Sequence, residues 1–329
     1  MNTMRVLVTG SAGHLGEALV RTLISEHEVV GLDIVGSKFT TIVGTILDRK
    51  TVDRCMHGID VVLHTATLHK PHVVTHTRQQ FIDTNVTGTL NLLEASVEGG
   101  VNSFIFTSTT STFGRALTPA SGEPAGWINE ETPPLPRNIY GVSKRAAEDL
   151  CELFHIDHGL VCIVLKTSRF FPEEDDSRDL RQTYEDENVK VNEYLYRRVD
   201  IEDVVKAHIC AMERAPSIGF GRYVISATTP FTIGDLVDLR TNAPLVVERI
   251  VPEFKEEYAR RGWKMFPSID RVYVNENARR DLDWNPRYNF DYVLERLRSN
   301  EQFRSALSVT VGSKGYHTGK FADGPYPVE

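Results

Sequence analysis

Near its start the chain has an apolar run that leads directly into three glycines, and this limits the possible folds more than any other feature. Arg5–Val8 is typical of a buried strand, and Gly10, Gly13 and Gly16 follow it. From Leu15 onward, apolar residues recur at helical spacing. A strand, a glycine turn and a helix in this order bring backbone N–H groups and the positive end of a helix dipole together. The segment therefore predicts a pyrophosphate site.

A second predicted strand, Glu28–Asp33, ends in a carboxylate 17 residues after Gly16. A ribose-binding acid belongs at this place in a dinucleotide site, although an ordinary turn residue is the alternative. The glycine spacing is G-x-x-G-x-x-G, and glycine triplets also occur by chance. The interpretation as a dinucleotide site therefore depends on the strand before the glycines and the strand that ends in Asp33. The charge of Asp33 would repel a 2′-phosphate, and we therefore predict NAD rather than NADP.

Composition excludes several classes of protein. The 329 residues carry a formal net charge of −8, which argues against nucleic acid or an anionic membrane as a partner. No apolar run approaches the ~20 residues of a membrane span, and we expect no signal peptide. The four cysteines are far apart in sequence, which favours free thiols in the cytoplasm.

Strands and helices alternate along the first half of the chain. Further strands are predicted at residues 40–46, 60–64, 103–107 and 161–166, and helices at 49–57, 79–98 and 139–158. This alternation predicts an α/β fold of the Rossmann type, a doubly wound parallel sheet with helices on both faces. Ligands bind such sheets at the carboxyl ends of the strands, where several small and polar residues of this chain follow the strands.

The pattern changes after residue 168. We predict a dinucleotide-binding domain over 1–170, rejoined by 200–228, a smaller α/β substrate domain from 171–199 and 229–311, and an irregular tail over 312–329. Glu173–Asp176 is predicted to be a solvated loop, and Val246–Val251 a strand. Asp200 and Asp203 are predicted to cap the helix that follows them.

Tyr140 and Lys144 lie four residues apart near the start of a predicted helix, so both side chains leave one face. A nearby ammonium group, with a cationic nicotinamide, would stabilise a phenolate and lower the pKa of the tyrosine. The hydroxyl of Thr109, at the end of the preceding strand, could share a substrate proton with Tyr140. A tyrosine and a lysine at this spacing also occur on ordinary surface helices, and their position beside the predicted cleft favours the catalytic interpretation.

Together these motifs resemble the extended short-chain dehydrogenase/reductases, and within them the NAD-dependent epimerase/dehydratase branch that acts on nucleotide sugars. The resemblance covers residues 4–170 and continues weakly through 198–207 and 278–286. It implies that Tyr140 is the base, Lys144 its modulator and Thr109 the catalytic hydroxyl. It also implies NAD as cofactor, held by Gly10, Ala12, Gly13, His14, Leu15, Gly16, Asp33, Ile46, Leu47, Thr65, Ala66, Thr67, Asn85, Thr107, Ser108, Tyr140, Lys144 and Thr167.

The resemblance further implies a sugar substrate, and the candidate substrate-binding residues are His69, Thr110, Ser111, Arg169 and Arg198. Arg169 stands where sugar epimerases usually carry an asparagine, and an arginine pairs well with phosphate or carboxylate. The segment between 172 and 200 is short for a nucleotide-binding insert, so the sugar is either nucleotide-linked or a free sugar acid. Thr110 and Ser111 replace the acidic pair of the dehydratases, which argues against dehydration.

Three functions remain open from the sequence. The first is a 4-epimerase of a nucleotide sugar that passes through a keto-sugar; the second is a dehydrogenase of a free sugar, uronate or related alcohol; the third is a dinucleotide sensor without chemistry. We expect no metal, although His72 and His76 lie at i, i+4. We expect a homodimer through helices 79–98 and 139–158, using apolar surface from Phe81, Leu92, Leu150 and Phe154.

Overall fold

A computed structural model describes residues 3–315 and Phe321. Its strands are β1 (Arg5–Thr9), β2 (Glu28–Asp33), β3 (Ile42–Val43), β4 (Val61–His64), β5 (Ser103–Thr109), β6 (Gly126–Ile128), β7 (Cys162–Thr167), β8 (Phe220–Ile225) and β9 (Arg271–Tyr273). Seven of them form a parallel sheet in the order β3-β2-β1-β4-β5-β7-β8. The predicted doubly wound α/β fold is confirmed.

The helices connect these strands and fill both sides of the sheet. They are α1 (His14–Leu23), α2 (Arg49–Met56), α3 (Arg78–Ile82), α4 (Gly88–Gly99), α5 (Ile139–His158), α6 (Arg178–Thr183), α7 (Asp186–Glu193), α8 (Ile201–Ile218), α9 (Leu236–Ile250), α10 (Phe254–Arg261), α11 (Glu276–Asp281), α12 (Phe290–Arg298) and α13 (Ala306–Val311). Among the described residues, none of these helices is both long and apolar enough to cross a membrane.

Alternating side chains of the strands build two apolar cores. Val6 and Val8 of β1 pack with α1 and α8 on one face, whereas Leu7 packs with α2, α4 and α5 on the other. Both faces are covered, which explains why the strands are continuously apolar. Because parallel strands end at one edge, the segments after β1, β4, β5 and β7 meet there.

A further apolar cluster is built from α7, α9, α10 and α12. Part of the predicted second domain packs elsewhere: Ala278, Trp284 and Val311 join the core beneath the sheet. The domain boundaries stay a prediction. Any revised boundary has to assign these three residues to the core of the sheet domain.

One predicted strand is wrong, and one predicted helix contains an irregular turn. Val246–Val251 is mostly helical, because it completes α9 after a kink at Asn242, and Pro244 suits the first turn of that second helical segment. The predicted helix over 79–98 is interrupted, since a turn of π-helix at Asp83–Thr87 separates α3 from α4. In addition, the parallel pair β6–β9 was not expected.

The prediction of a solvated loop at Glu173–Asp176 is also wrong. Asp175 is 4% exposed, and Glu173 and Asp176 make ion pairs with His14 and Lys70, which are far away in sequence. Asp200 caps α8 as predicted by accepting from Glu202 N, but Asp203 instead accepts the backbone N–H groups of Arg287 and Tyr288.

Candidate active site

The glycine turn after β1 leaves no room for side chains. Gly10 has a φ of +72°, and a Cβ there would lie 2.8 Å from the backbone nitrogen of Ala66. A Cβ on Gly16 would lie 1.9 Å from the carbonyl oxygen of Gly10. Gly13 precedes α1 and provides no side-chain cap, so the first N–H groups of the helix stay available to an anion. The shape of the turn is compatible with a pyrophosphate, and the pyrophosphate site stays a prediction.

Asp33 connects the glycine turn to the end of β2. One carboxylate oxygen accepts the backbone N–H of Ala12 at 2.9 Å, and the other accepts that of Val35 at 2.8 Å. These contacts hold the carboxylate at the rim of the cleft, where the predicted ribose contact requires it.

A cleft of about 810 Å³ runs along the carboxyl edge of the sheet, from the glycine turn to Tyr140. Twenty of the predicted site residues line it: Gly10, Ala12, Gly13, His14, Leu15, Gly16, Asp33, Ile46, Thr65, Ala66, Thr67, His69, Thr107, Ser108, Thr109, Thr110, Ser111, Tyr140, Thr167 and Arg169. This size and lining fit a dinucleotide with space for a small substrate beyond it.

Tyr140 lies in the first turn of α5, which the Asn138 side chain caps by accepting from Gly141 N. Burial raises the pKa of Tyr140 to about 12, and a hydrogen bond with the Thr109 side chain opposes that rise. The ring of His69 lies 6.1 Å from that of Tyr140, and burial lowers the pKa of His69 to about 3, so it is neutral. Among the described residues, the Thr109 side chain is thus the group that opposes the effect of burial on the pKa of Tyr140.

Lys144 lies beneath the cleft and is 2% exposed. Its Nζ donates to the carbonyl oxygen of Thr107 at 2.7 Å and lies 3.9 Å from the centre of the Phe106 ring. Burial lowers the pKa of Lys144 to about 7, and the negative charge of Glu148 opposes this. The expected lowering of the Tyr140 pKa by this ammonium is not seen here, because the ammonium is engaged at the end of β5.

Asn85, in the π-helical turn, also lies outside the cleft lining. Its side chain accepts from Thr67 Oγ1 and Leu68 N, and it donates to Ser143 Oγ at 3.0 Å. Asn85 therefore connects the loop after β4 to α5.

His14, which the sequence left without a physical explanation, contacts residues from two distant segments. Its Nε2 lies 2.8 Å from Glu173 Oε1, and the backbone N–H of Lys314 donates to the same carboxylate oxygen at 3.2 Å. Hydrogen bonds and the ion pair with His14 lower the pKa of Glu173 to about 2. Residues 313–315, at the start of the predicted tail, thus donate to Glu173, which contacts His14 at the start of α1. Beyond these and Phe321, the tail lies outside the described residues.

The candidate substrate end of the cleft contains a compact cluster of arginines and carboxylates. Arg169 pairs with Asp175, Asp176 and Glu193, whereas Arg197 pairs with Glu193 at 2.7 Å. The arginines lower the pKa of Glu193, which is 0% exposed, to about 2. Much of the positive charge expected at Arg169 is therefore neutralised within the chain.

Two other predicted residues lie outside the cleft lining. Arg198 is 5% exposed and donates to Glu193 and the carbonyl oxygen of Phe171, which turns it away from the cleft. Leu47 is 40% exposed at the outer edge. The sequence missed Arg271 and Lys314, which line the cleft from β9 and the tail, because no local motif marks either residue. Among the described residues, no three metal-ligating side chains cluster.

Comparison with known proteins identifies the family to which the chain belongs. The model of the NAD dependent epimerase/dehydratase family matches residues 6–226. The chain belongs to this family, and the resemblance seen in the sequence is confirmed.

Individual relatives match shorter stretches. A 3-beta-hydroxysteroid dehydrogenase of Mycolicibacterium neoaurum is 39% identical over 118 residues, which are 32% of either chain. An N-acetyl-alpha-D-glucosaminyl-diphospho-ditrans,octacis-undecaprenol 4-epimerase of Escherichia coli O157:H7 is 32% identical over 148 residues, 44% of this chain and 42% of that one. The chain thus spans less than half the length of these two curated relatives.

The solved structure of UDP-glucuronic acid 4-epimerase from Bacillus cereus in complex with NAD is similar over most of the chain. It has a TM-score of 0.59 at 21% identity, covering 91% of this chain and 100% of that one. This likeness establishes a shared fold.

Proposed function

We propose that the protein is an NAD-dependent 4-epimerase of a nucleotide sugar that works through a keto-sugar intermediate. The observation that carries the proposal is that Thr109, at the end of β5, and Tyr140 both line the cleft, whose size fits a dinucleotide. The 4-epimerase among the relatives and the family membership support the same reaction class.

The roles of the residues follow from their positions. Bound NAD would supply a hydride acceptor and donor next to the sugar carbon. Tyr140 takes the proton from the sugar hydroxyl and gives it back, and the Thr109 hydroxyl orients that proton. Lys144 lies below the site, where we infer that its ammonium modulates the phenol during turnover, although it does not lower the Tyr140 pKa in this structure. Glycine-turn amides bind the pyrophosphate, Asp33 binds the adenosine ribose, and Ala66 and Thr67 line the nicotinamide end.

A second candidate is a net dehydrogenase of a sugar acid or related alcohol. Two observations favour it: a dehydrogenase is among the relatives, and intramolecular carboxylates already engage Arg169 and Arg197. Arg271 offers an alternative anion contact, since its Nε is buried without a partner among the described residues. A dinucleotide sensor without chemistry is a weaker candidate, since Thr109 and Tyr140 both line the cleft.

One experiment separates the candidates. The purified protein is incubated with NAD and either nucleotide sugars or free sugar acids, and both NADH absorbance and product stereochemistry are followed. The proposed epimerase interconverts two epimers without net NADH formation. Stoichiometric NADH with a sugar acid identifies the dehydrogenase, and NAD binding without turnover of either class contradicts both enzymes.

We also propose that the protein works as a cytoplasmic homodimer. The four cysteines are free thiols, as expected in a reducing compartment. Three of the four apolar residues that the sequence predicts for the dimer are buried, since Phe81, Leu92 and Phe154 are at most 8% exposed, and Leu150 is half-buried. Instead, α5 presents Leu153 and Ile156, which are 47% and 71% exposed. Sedimentation as a monomer would contradict the dimer.

A further inference from the structure

A buried ion pair lies directly behind the candidate catalytic groups. Glu148 is 0% exposed and Lys166 is 1% exposed. The ammonium of Lys166 lies 2.7 Å and 2.6 Å from the two carboxylate oxygens of Glu148. Burying two charges is expensive, and replacing such a pair by apolar residues is often neutral or stabilising. Stability alone therefore does not explain why the chain keeps this pair.

The partners of the pair belong to the elements that build the site. Lys166 on β7 also donates to Thr112 Oγ1 at 2.9 Å, and Thr112 lies in the turn that follows Thr109. Ser108, the residue before Thr109, donates to Glu148 Oε1 at 2.5 Å. The pair thus fixes the chain on both sides of Thr109, joining β5, β7 and α5 at one point.

Glu148 also shares a helix face with the other two candidate groups. Tyr140, Lys144 and Glu148 are spaced by four residues each, so their side chains leave α5 on one side. Burial lowers the pKa of Lys144, and the negative charge of the Glu148 carboxylate opposes this lowering. Because no hydrogen bond joins Glu148 and Lys144, which are both described, the effect of Glu148 on the Lys144 pKa is electrostatic.

Several other groups face this region. Arg145 and Arg222 approach Glu148 at 3.5 Å and 3.9 Å, from α5 and β8 respectively. Burial lowers the pKa of His64 and of His69, so both face Lys144 as neutral groups, and it raises that of the Cys151 thiol. Among the described residues, Glu148 is therefore the negative charge that acts on Lys144 at neutral pH.

We propose that Glu148 and Lys166 are positioning residues for the candidate active site: the pair holds the turn that carries Thr109 and sets a negative charge behind Lys144. This inference rests on the proposed function for the roles of Thr109 and Lys144. Neither Glu148 nor Lys166 touches the cleft, so both act through other residues.

The test compares Glu148→Gln with Asp149→Asn. Asp149 is the matched control because it is adjacent on α5 and contacts Arg145 and Arg222, but neither Lys144 nor Lys166. Titration of Lys144 is followed by NMR of lysine labelled at Cε, with Lys144→Arg used for assignment. The inference predicts that Glu148→Gln moves the titration midpoint down by about one pH unit, whereas Asp149→Asn leaves it in place. An unchanged midpoint in Glu148→Gln overturns the inference, whether or not any sugar is turned over.

Kinetics test the proposed support of the turn that carries Thr109. Lys166→Met is expected to lower kcat by about tenfold or more with little change in KM, because Thr109 loses its support. Lys166→Arg, which keeps the positive charge, should retain most of the wild-type kcat. The double variant Glu148→Gln/Lys166→Met removes the unpaired buried charge, so it should fold well and still show the low kcat. Wild-type kcat in the folded double variant contradicts a positioning role. Absence of turnover in the wild type contradicts the proposed function instead.

Discussion

The two ends of the cleft are built in different ways. At the cofactor end, Gly10, Gly16 and Asp33 act within a single strand–turn–helix–strand unit, and their contacts are mostly backbone contacts. At the substrate end, Arg169 and Glu193 belong to a charge cluster assembled from separate segments. The first end can be identified from spacing along the chain, whereas the second depends on which charges meet after folding.

The largest expected effect tests the chemistry between the two ends. Tyr140→Phe removes the hydroxyl that exchanges the proton, so kcat should fall by about a hundredfold to ten-thousandfold. NAD affinity should change little, because the glycine turn and Asp33 remain. Steady-state kinetics and NAD titration measure both quantities. Tyr292→Phe is the control, since Tyr292 packs against Tyr288 in another core. Full activity of Tyr140→Phe would contradict the assignment.

The substrate end should be the more sensitive to the loss of a charge. Glu193→Gln leaves Arg169, Arg197 and Arg198 short of a buried partner, and should lower the free energy of unfolding by about 3 kcal/mol. Denaturant unfolding measures this. Glu187→Gln, at an exposed position of α7, should have almost no effect. Equal stability of the two variants would contradict the proposed contribution of this charge cluster to the free energy of unfolding.

The same variant gives a pH dependence. The pKa of Glu193 is lowered from 4.5 to about 2 in the folded protein. Its contribution to stability is therefore complete above the unfolded value and is lost as the pH falls from 4.5 toward about 2. The difference in stability between wild type and Glu193→Gln should shrink over that window. A constant difference would show that the carboxylate is not held ionised by the arginines.

At the cofactor end, the expected effect is steric. Gly16→Ala would place a Cβ against the Gly10 carbonyl oxygen, and the turn has to move, with a loss of about 1–3 kcal/mol of stability and weaker NAD binding. Gly36→Ala is the matched control, because its Cβ would meet only Val43 at 3.6 Å. Thermal unfolding and NAD titration distinguish the two, and identical behaviour would mean that the turn tolerates a side chain.

The smallest effect concerns the choice of cofactor. Asp33→Ala removes the charge that would repel a 2′-phosphate, so the preference for NAD over NADP should narrow by about tenfold. Relative Kd values for the two dinucleotides measure it. Because Asp33 also accepts the backbone N–H of Ala12, the affinity for NAD should fall as well. An unchanged ratio would count against the ribose assignment.

Features that depend on neighbouring residues could be predicted from the sequence, whereas features that depend on contacts between distant segments could not. The parallel sheet and its glycine turn were predicted because apolar periodicity and turn residues act over a few positions. Val246–Val251 was misassigned because an apolar run alone does not distinguish a buried strand from a buried helix. Glu173 and Asp175 were assigned to solvent because their partners, His14 and Arg169, are identified only once the chain has folded. The support of Thr109 by Glu148 and Lys166 was missed for the same reason.

The central claim is that Tyr140 and Thr109 face a dinucleotide lying along the carboxyl edge of the sheet. A crystal structure of the protein with NAD tests this claim most directly. The account predicts the pyrophosphate on the N–H groups of the glycine turn and the nicotinamide end between Ala66 and Tyr140, whose hydroxyl contacts Thr109. A dinucleotide bound elsewhere, or a Tyr140 hydroxyl turned away from it, would contradict the account.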